Sequence, residues 1–379
     1  MADNTIDNKI LVNTPKPIHL WDVNGYVKIS NQARKKFKDL IQKHGVNKLA
    51  RELNFDKETI YSLYNKGRKR GNHSIKHLLD TAISINYSLN NLEKEVTHYG
   101  TNQTQMYATT FPFPISPLIL RAVSIHGDGS FYYKNENRSI NAEWYQSGNR
   151  IKFMERLLDK IIVDNPIKIK SKENNVYSIS IPNHLIKIIC KSLNLKLEKF
   201  NSVEFFKKVS KLPIKYKIQV FFQFIVDEGH FKGTTMTVSQ KKTWSREGFK
   251  ILIDSLDFDH SNPANNRDDI TIYNFNFPRI LTYLNYAKKE YGDTAGLWFK
   301  EKEFIDICKK IHPLHYPLIR RSMKANREIF KKLKIEKNIF SYEDLRKLNR
   351  TSSQINKAIR TWKKNGLIIR IGWNKYKIL

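Results

Sequence analysis

Two segments about a hundred residues apart carry side chains able to do chemistry. Residues 121–129 read R-A-V-S-I-H-G-D-G, and residues 221–229 read F-F-Q-F-I-V-D-E-G. Each is an apolar stretch of helix-like length ending in an acid, then Gly, then one residue, then Phe. The acids are Asp128 and Glu228. A lone Asp-Gly or Glu-Gly after an apolar run is usually only a turn. Recurrence of the whole pattern marks one supersecondary unit used twice, and two such units can bring two carboxylates to a shared interface. The chain carries 67 Lys and Arg against 36 Asp and Glu, a formal charge of +31. That field attracts polyanions. Paired carboxylates in so basic a protein point to a metal-dependent site acting on phosphodiesters.

These residues resemble the LAGLIDADG homing endonucleases. The resemblance covers roughly residues 115–312 and implies that the two motif helices pack side by side at the centre of the fold. It also implies that the acid at the eighth position of each motif, here Asp128 and Glu228, holds a divalent metal, Mg²⁺ or Mn²⁺, over the DNA backbone. The family often has a strand ending in Gln and a basic residue, and Ser239-Gln240-Lys241 looks like it. By the same resemblance Gln146, Gln240, Lys241 and Lys242 are expected near the scissile phosphates. The chain departs from the family pattern at the third position, with Val123 and Gln223 in place of Gly or Ala, and at the sixth, with His126 and Val226 in place of Asp. The segments where the family supplies a further basic residue offer His184 and Arg279 but no clear match. Gln223 needs a hydrogen-bond partner if buried, since an unpaired buried amide costs on the order of 1–3 kcal/mol. That partner is expected on the backbone or on the opposite motif helix.

The elements that must position these residues are readable around them. Ser116 and Pro117 look like an N-cap and first helical residue, giving a first motif helix with Asp128 just past its end. Residues 139–146 read as a strand and 150–161 as a helix; residues 235–240 and 248–256 repeat that order. The expected fold is α+β, with a duplicated αββαββα core over residues 116–312 (repeats 116–200 and 213–312).

Residues 1–96 read as a separate helical domain that resembles a helix-turn-helix. Asn31 is a candidate cap for a helix to His44, with Gly45 as its stop. Ala50, Asn54 and Ile60 fall where that motif needs a small residue, a turn residue tolerant of positive φ, and a core anchor. Asp56 is a plausible cap for the helix that follows. Lys57 and Thr59, with the basic tail Arg68, Lys69 and Arg70, are the candidate DNA contacts. Residues 97–115 read as a polar linker. Residues 325–379 resemble a winged helix: S-Y-E-D from Ser341 is a capping-box start, and a helix over 352–365 leads into two β-prone stretches. From Lys331 onward there are 14 basic and 3 acidic residues, a one-sided balance that favours a phosphate-facing surface. Gln354, Lys357, Arg360, Lys363, Lys364, Arg370 and Lys375 are the candidate contacts there.

The sequence also argues against other classes. Cys190 and Cys308 are too few for a disulfide framework. There is no Cys/His zinc spacing and no phosphate-binding G-x-x-x-x-G-K loop. No run reaches the roughly 18 apolar residues of a membrane span, and the first residues lack the order of a signal peptide. The reading is therefore a divalent-metal-dependent double-stranded DNA endonuclease, a monomer with two internal pseudo-repeats, expected in the cytoplasm with the nucleoid. The alternative is a non-catalytic transcription regulator built on the same fold. RNA is a weaker partner candidate, because helix-turn-helix elements suit a major groove better than the deep groove of A-form RNA.

Overall fold

The computed structural model describes residues 14–310, apart from 65–71, 104, 135–138, 163–166, 168, 234 and 262–267. Beyond that it describes 330, 339–347, 352–364, 367–372 and 374–378. The chain divides into two compact units, Met1–Cys308 and Lys309–Leu379. Both mix helix and sheet.

The first unit opens with helices Asn31–His44, Val46–Leu53, Lys57–Ser62 and Ile75–Ser84. The first is capped by Ser30, whose hydroxyl accepts from the Ala33 N–H at 3.0 Å, so Asn31 is the first helical residue instead of the cap. Gly45 ends this helix at φ 95°. Asn54 takes the left-handed conformation (φ 53°, ψ 45°) between the next two helices, and the Asp56 carboxylate accepts from the Thr59 N–H. Ala50 and Ile60 are buried beneath that turn. Arg68, Lys69 and Arg70 lie outside the described residues.

The segment read as a linker contains strands Val96–Gly100 and Tyr107–Ala108, which belong to a sheet with Tyr26–Ile29 and His73–Ser74. Its few charges reflect backbone pairing and burial. Val27 faces Tyr99 in the ladder, and the fully buried Tyr99 donates its hydroxyl to the Asn24 carbonyl at 3.1 Å. Tyr107 stacks on His184 at 4.3 Å, which ties this sheet to the first repeat.

The first repeat runs helix Pro117–Val123, strands Gly129–Lys134 and Ser139–Ser147, helix Ile151–Ile161, strands Ile169–Ser171 and Val176–Ile181, and helix Asn183–Ser192. Its four strands form one antiparallel sheet. The second repeat runs helix Ile214–Glu228, strands Gly229–Lys232 and Thr235–Ser239, helix Thr243–Ser255, strand Asp269–Ile272 and helix Phe277–Tyr291. The duplication is therefore incomplete among the described residues. Where the first repeat has strand Ile169–Ser171, the second has only an isolated bridge between His260 and Ile272.

The motif helices pack against each other but end differently. Ser116 caps the first by accepting from the Ile119 N–H at 3.2 Å, with Pro117 at its first turn, as the sequence implies. It stops at Val123, five residues short of Asp128 rather than just before it. Ser124 turns its hydroxyl back to the Leu120 carbonyl, a bond that competes with helix continuation. Gly127 and Gly129 add poor helix propensity. The second helix continues unbroken to Glu228. Phe221, Phe222 and Phe224 on it are all buried, and Phe224 stacks on Phe249 at 4.3 Å. Each such ring contributes about 1.5–3 kcal/mol by burial.

In the second unit, strands Ile339–Ser341, Lys375–Ile378 and Ile368–Gly372 form a sheet in that order. Helices Tyr342–Arg346 and Ser352–Lys364 pack over a core that includes Phe340, Ile355, Trp362 and Tyr376. Ser341 and Asp344 form the reciprocal cap read from the sequence.

Candidate active site

The two repeats deliver the same pair of groups. In the first, Asp128 follows the motif turn, and Gln146, next to last in strand Ser139–Ser147, donates its Nε2 to Asp128 Oδ2. In the second, Glu228 ends the motif helix, and Gln240, just past strand Thr235–Ser239, donates its Nε2 to Glu228 Oε1 at 2.8 Å. Both glutamines are buried. Gln240 is itself held, its Oε1 accepting from the Lys242 N–H at 3.0 Å. The glycine after each acid has one and the same reason to be there. A Cβ would lie 2.1 Å from the Ile125 carbonyl at Gly129, and 2.6 Å from the Ile225 carbonyl at Gly229.

Burial and mutual repulsion dominate the electrostatics. Burial and then the charge of Glu228 push the Asp128 carboxyl up to about 7, against the opposing pull of Lys300, Gln146 and Arg150. Burial also raises Glu228, opposed by Lys300, Gln240 and Lys242. Such raised carboxyls mark a place where a cation is favourable.

Two further charged residues belong to this cluster, and the sequence reading did not single them out. Asp227, one residue before Glu228, is buried, and its Oδ1 accepts from Trp144 Nε1 at 2.9 Å and Gln223 Nε2 at 2.8 Å. Burial and then the charge of Asp128 raise its pKa well above the usual range. An acid inside an otherwise apolar helix is a visible signal, since such a residue is almost never buried unless paired. Lys300 comes from beyond the second repeat's last helix. Its Nζ donates to the Ile225 carbonyl at 2.9 Å and the Gly229 carbonyl at 2.6 Å, at the carboxyl end of the second motif helix. A cation is favourable at that end of a helix. Burial lowers its pKa, and the charges of Asp227, Asp128 and Glu228 oppose that shift. No pattern in the sequence announces this contact.

Gln223 is fully buried, but its partner is Asp227 on its own helix rather than backbone or the opposite helix. That spacing of four residues aligns the two side chains on one face. His126 is buried among Phe131, Phe200, Phe205, Phe206 and Trp244, where burial lowers its pKa to about 4. Arg121 is fully buried beneath the site, with Nη2 donating to the Gly296 carbonyl at 2.7 Å and its guanidinium 4.4 Å from the Trp298 ring centre. His184 is engaged by Tyr107, and Arg279 donates to the Leu256 carbonyl.

An open cleft of about 570 Å³ lies here, lined by Asp128, Gln146, Arg150, Asp227 and Lys300 among others. Lys241 and Lys242 are exposed, and of the two only Lys242 acts on Glu228. Lys57 is exposed and Thr59 half-buried on the short helix after Asp56. In the second unit Gln354, Arg360, Lys363, Arg370 and Lys375 are exposed. Lys357 and Lys364 lie on helix Ser352–Lys364, with their side chains outside the described residues. Among the described residues, no three His, Cys, Asp or Glu side chains converge as a metal-ligand group.

No family model matches the chain, and no curated protein does. Three solved structures illustrate what it is similar to. Mesophilic variants of the homing endonuclease I-DmoI align at TM-score 0.32 and 11% identity, over 44% of this chain and 96% of theirs. The homing endonuclease I-WcaI bound to its DNA recognition sequence aligns at 0.33 and 13%, over 45% and 82%. The meganuclease I-SmaMI bound to uncleaveable DNA aligns at 0.33 and 14%, over 51% and 89%. At such scores the likeness carries no argument of its own.

Proposed function

We propose that the chain is a divalent-metal-dependent double-stranded DNA endonuclease with a duplicated LAGLIDADG-like core. The observation that carries this reading is the repeated acid–amide pair, Asp128 with Gln146 and Glu228 with Gln240, beside the half-buried Lys300. The donor set fits Mg²⁺ or Mn²⁺. Mg²⁺ characteristically takes one or two carboxylates and completes its shell with water and phosphate oxygens, so a third protein ligand is not required. Asp128 and Glu228 would hold it, and the cation would supply an activated water and stabilise the leaving oxygen. Lys300 bonds helix carbonyls rather than the carboxylates, so its positive charge would be on hand for a bound phosphate. The glutamine amides orient each carboxylate. Arg150, exposed at the cleft, is suited to a phosphate oxygen.

The flanking elements fit duplex binding: Lys57 and Thr59 in a helix-turn-helix, and the basic helix and hairpin of the second unit in a winged helix. Cleavage of a randomised duplex library in Mg²⁺, beside a chelator control, tests the reading. Metal-dependent cuts at a long common site are expected, and an intact library would overturn it. A second reading, a DNA-binding regulator that does not cut, needs only the basic surfaces of the chain, with its formal charge of +31. It predicts sequence-specific binding indifferent to Mg²⁺.

A further inference from the structure

Asp227 differs from the two acids that the repeats share. Asp128 and Glu228 are each held by one glutamine from their own repeat. Asp227 is only 8% exposed, and both of its side-chain hydrogen bonds fall on one oxygen, Oδ1. The Asp128 main-chain N–H lies close enough to favour its charged form, yet no hydrogen bond of good geometry reaches the buried Oδ2. Leaving a buried acceptor without a partner is costly.

A purely structural role does not use that second oxygen. Knitting Trp144 of the first repeat to the second motif helix requires Oδ1 alone, and an Asn would serve. Oδ2 instead belongs to a side chain lining the cleft with Asp128 and Lys300. The first repeat's backbone is shaped to admit it. A Cβ at Gly127 would stand 2.4 Å from Asp227 Cβ and 3.1 Å from Oδ2. Nothing like this exists at the matching place in the other direction, where the seventh position of the first repeat is Gly127 itself.

We propose that Asp227 donates Oδ2 to a divalent cation shared with Asp128, so that the second repeat brings its seventh position to the metal. This rests on the metal-dependent reading above. Two carboxylate oxygens are hard donors, suited to Mg²⁺ or Mn²⁺ rather than to a soft metal. The remaining positions fall to water and phosphate oxygens from the cleft.

The test uses the full chain and Mn²⁺ alone, with binding read by calorimetry on wild type, Asp227→Asn, Asp128→Asn and, as a charge control, Glu58→Gln on the exposed face of helix Lys57–Ser62. Affinity should fall about tenfold or more in both Asp variants, because lost ligand charge weakens such sites, and should be unchanged in the control. Loss in Asp128→Asn but not in Asp227→Asn would overturn the role of Asp227 and leave the metal reading standing. No Mn²⁺ binding by wild type, or no loss in either variant, would overturn both. A second measurement needs no Asp227 variant. The Trp144 indole N–H resonance, assigned with Trp144→Phe, should be broadened away by substoichiometric Mn²⁺. A sharp Trp144 signal at saturating Mn²⁺ would also sink the proposal.

Discussion

The two repeats present the same acid–amide pair by different backbone routes. In the second, a helix of 15 residues runs straight to Glu228. In the first, a helix of 7 residues stops at Val123, and an irregular turn carries the chain to Asp128. The turn sinks His126 into a cage of aromatic rings and brings Gly127 flat against Asp227. One repeat thus gives up helix to make room, and the other fills the room with a buried acid. The strands behind them keep the common part, a glutamine directed at each motif acid. Pseudo-symmetry is strictest at the carboxylate–amide pairs and loosest in the helices and the outer strand.

The largest effects should expose the shared part. Asp128→Asn and Glu228→Gln should each lower cleavage by roughly 10²–10³-fold, the scale of removing one electrostatic stabiliser. Duplex affinity measured by fluorescence anisotropy should stay near wild type. Wild-type cutting by either variant would mean that the two acids are not equivalent members of one site.

Gln146→Ala and Gln240→Ala should cost less, about 10–100-fold, as expected for groups that orient a ligand. Rates of the two variants side by side report how symmetric the repeats are. A loss confined to one of them would show that a single repeat carries the chemistry.

Gly127→Ala probes the asymmetric part. Its methyl would overlap Asp227 Cβ at 2.4 Å, so denaturant unfolding should show a loss of about 1–3 kcal/mol, the usual range for overpacking. An unchanged midpoint would mean that the two segments separate freely at this contact.

A further effect is in pH dependence. The folded-state carboxyl of Asp128 stands near 7, above its ordinary 3.8, so between those values the folded protein holds the extra proton. Its contribution to stability is full below about 3.8 and is lost as pH rises through about 7. In metal-free buffer Asp128→Asn should therefore melt higher than wild type at pH 8, with the gap closing towards pH 5. Each kcal/mol corresponds to roughly 2–4 °C in a domain of this class. A gap that widens on acidification would show that Asp128 is held charged, not neutral.

The placement of much of the candidate site was legible in the sequence because its information is local. Asp128 and Glu228 stand at the ends of apolar runs followed by Gly-x-Phe, and the glycines are required by the carbonyls of Ile125 and Ile225 four residues earlier. Gln146 and Gln240 sit near the ends of strands whose β character their own residues encode. The caps at Ser116, Asp56 and Ser341, and the left-handed Asn54, are likewise decided within a few residues. Tertiary structure decided what depends on who comes near. Lys300 meets the helix carbonyls only because the chain returns there some seventy residues after Glu228. Asp227 was visible as a residue, but the indole of Trp144, from the other repeat, is what makes it a buried acceptor. Residues 97–115 looked like a linker by composition, yet Val96–Gly100 pairs with Tyr26–Ile29 and Tyr107–Ala108 pairs in turn with Val96–Gly100, because each edge carries backbone groups that must be satisfied. The first motif helix stops short for the same kind of reason. Gly127 and Gly129 already disfavour a longer run, and a helix through Gly127 would also forfeit the contact that seats Asp227.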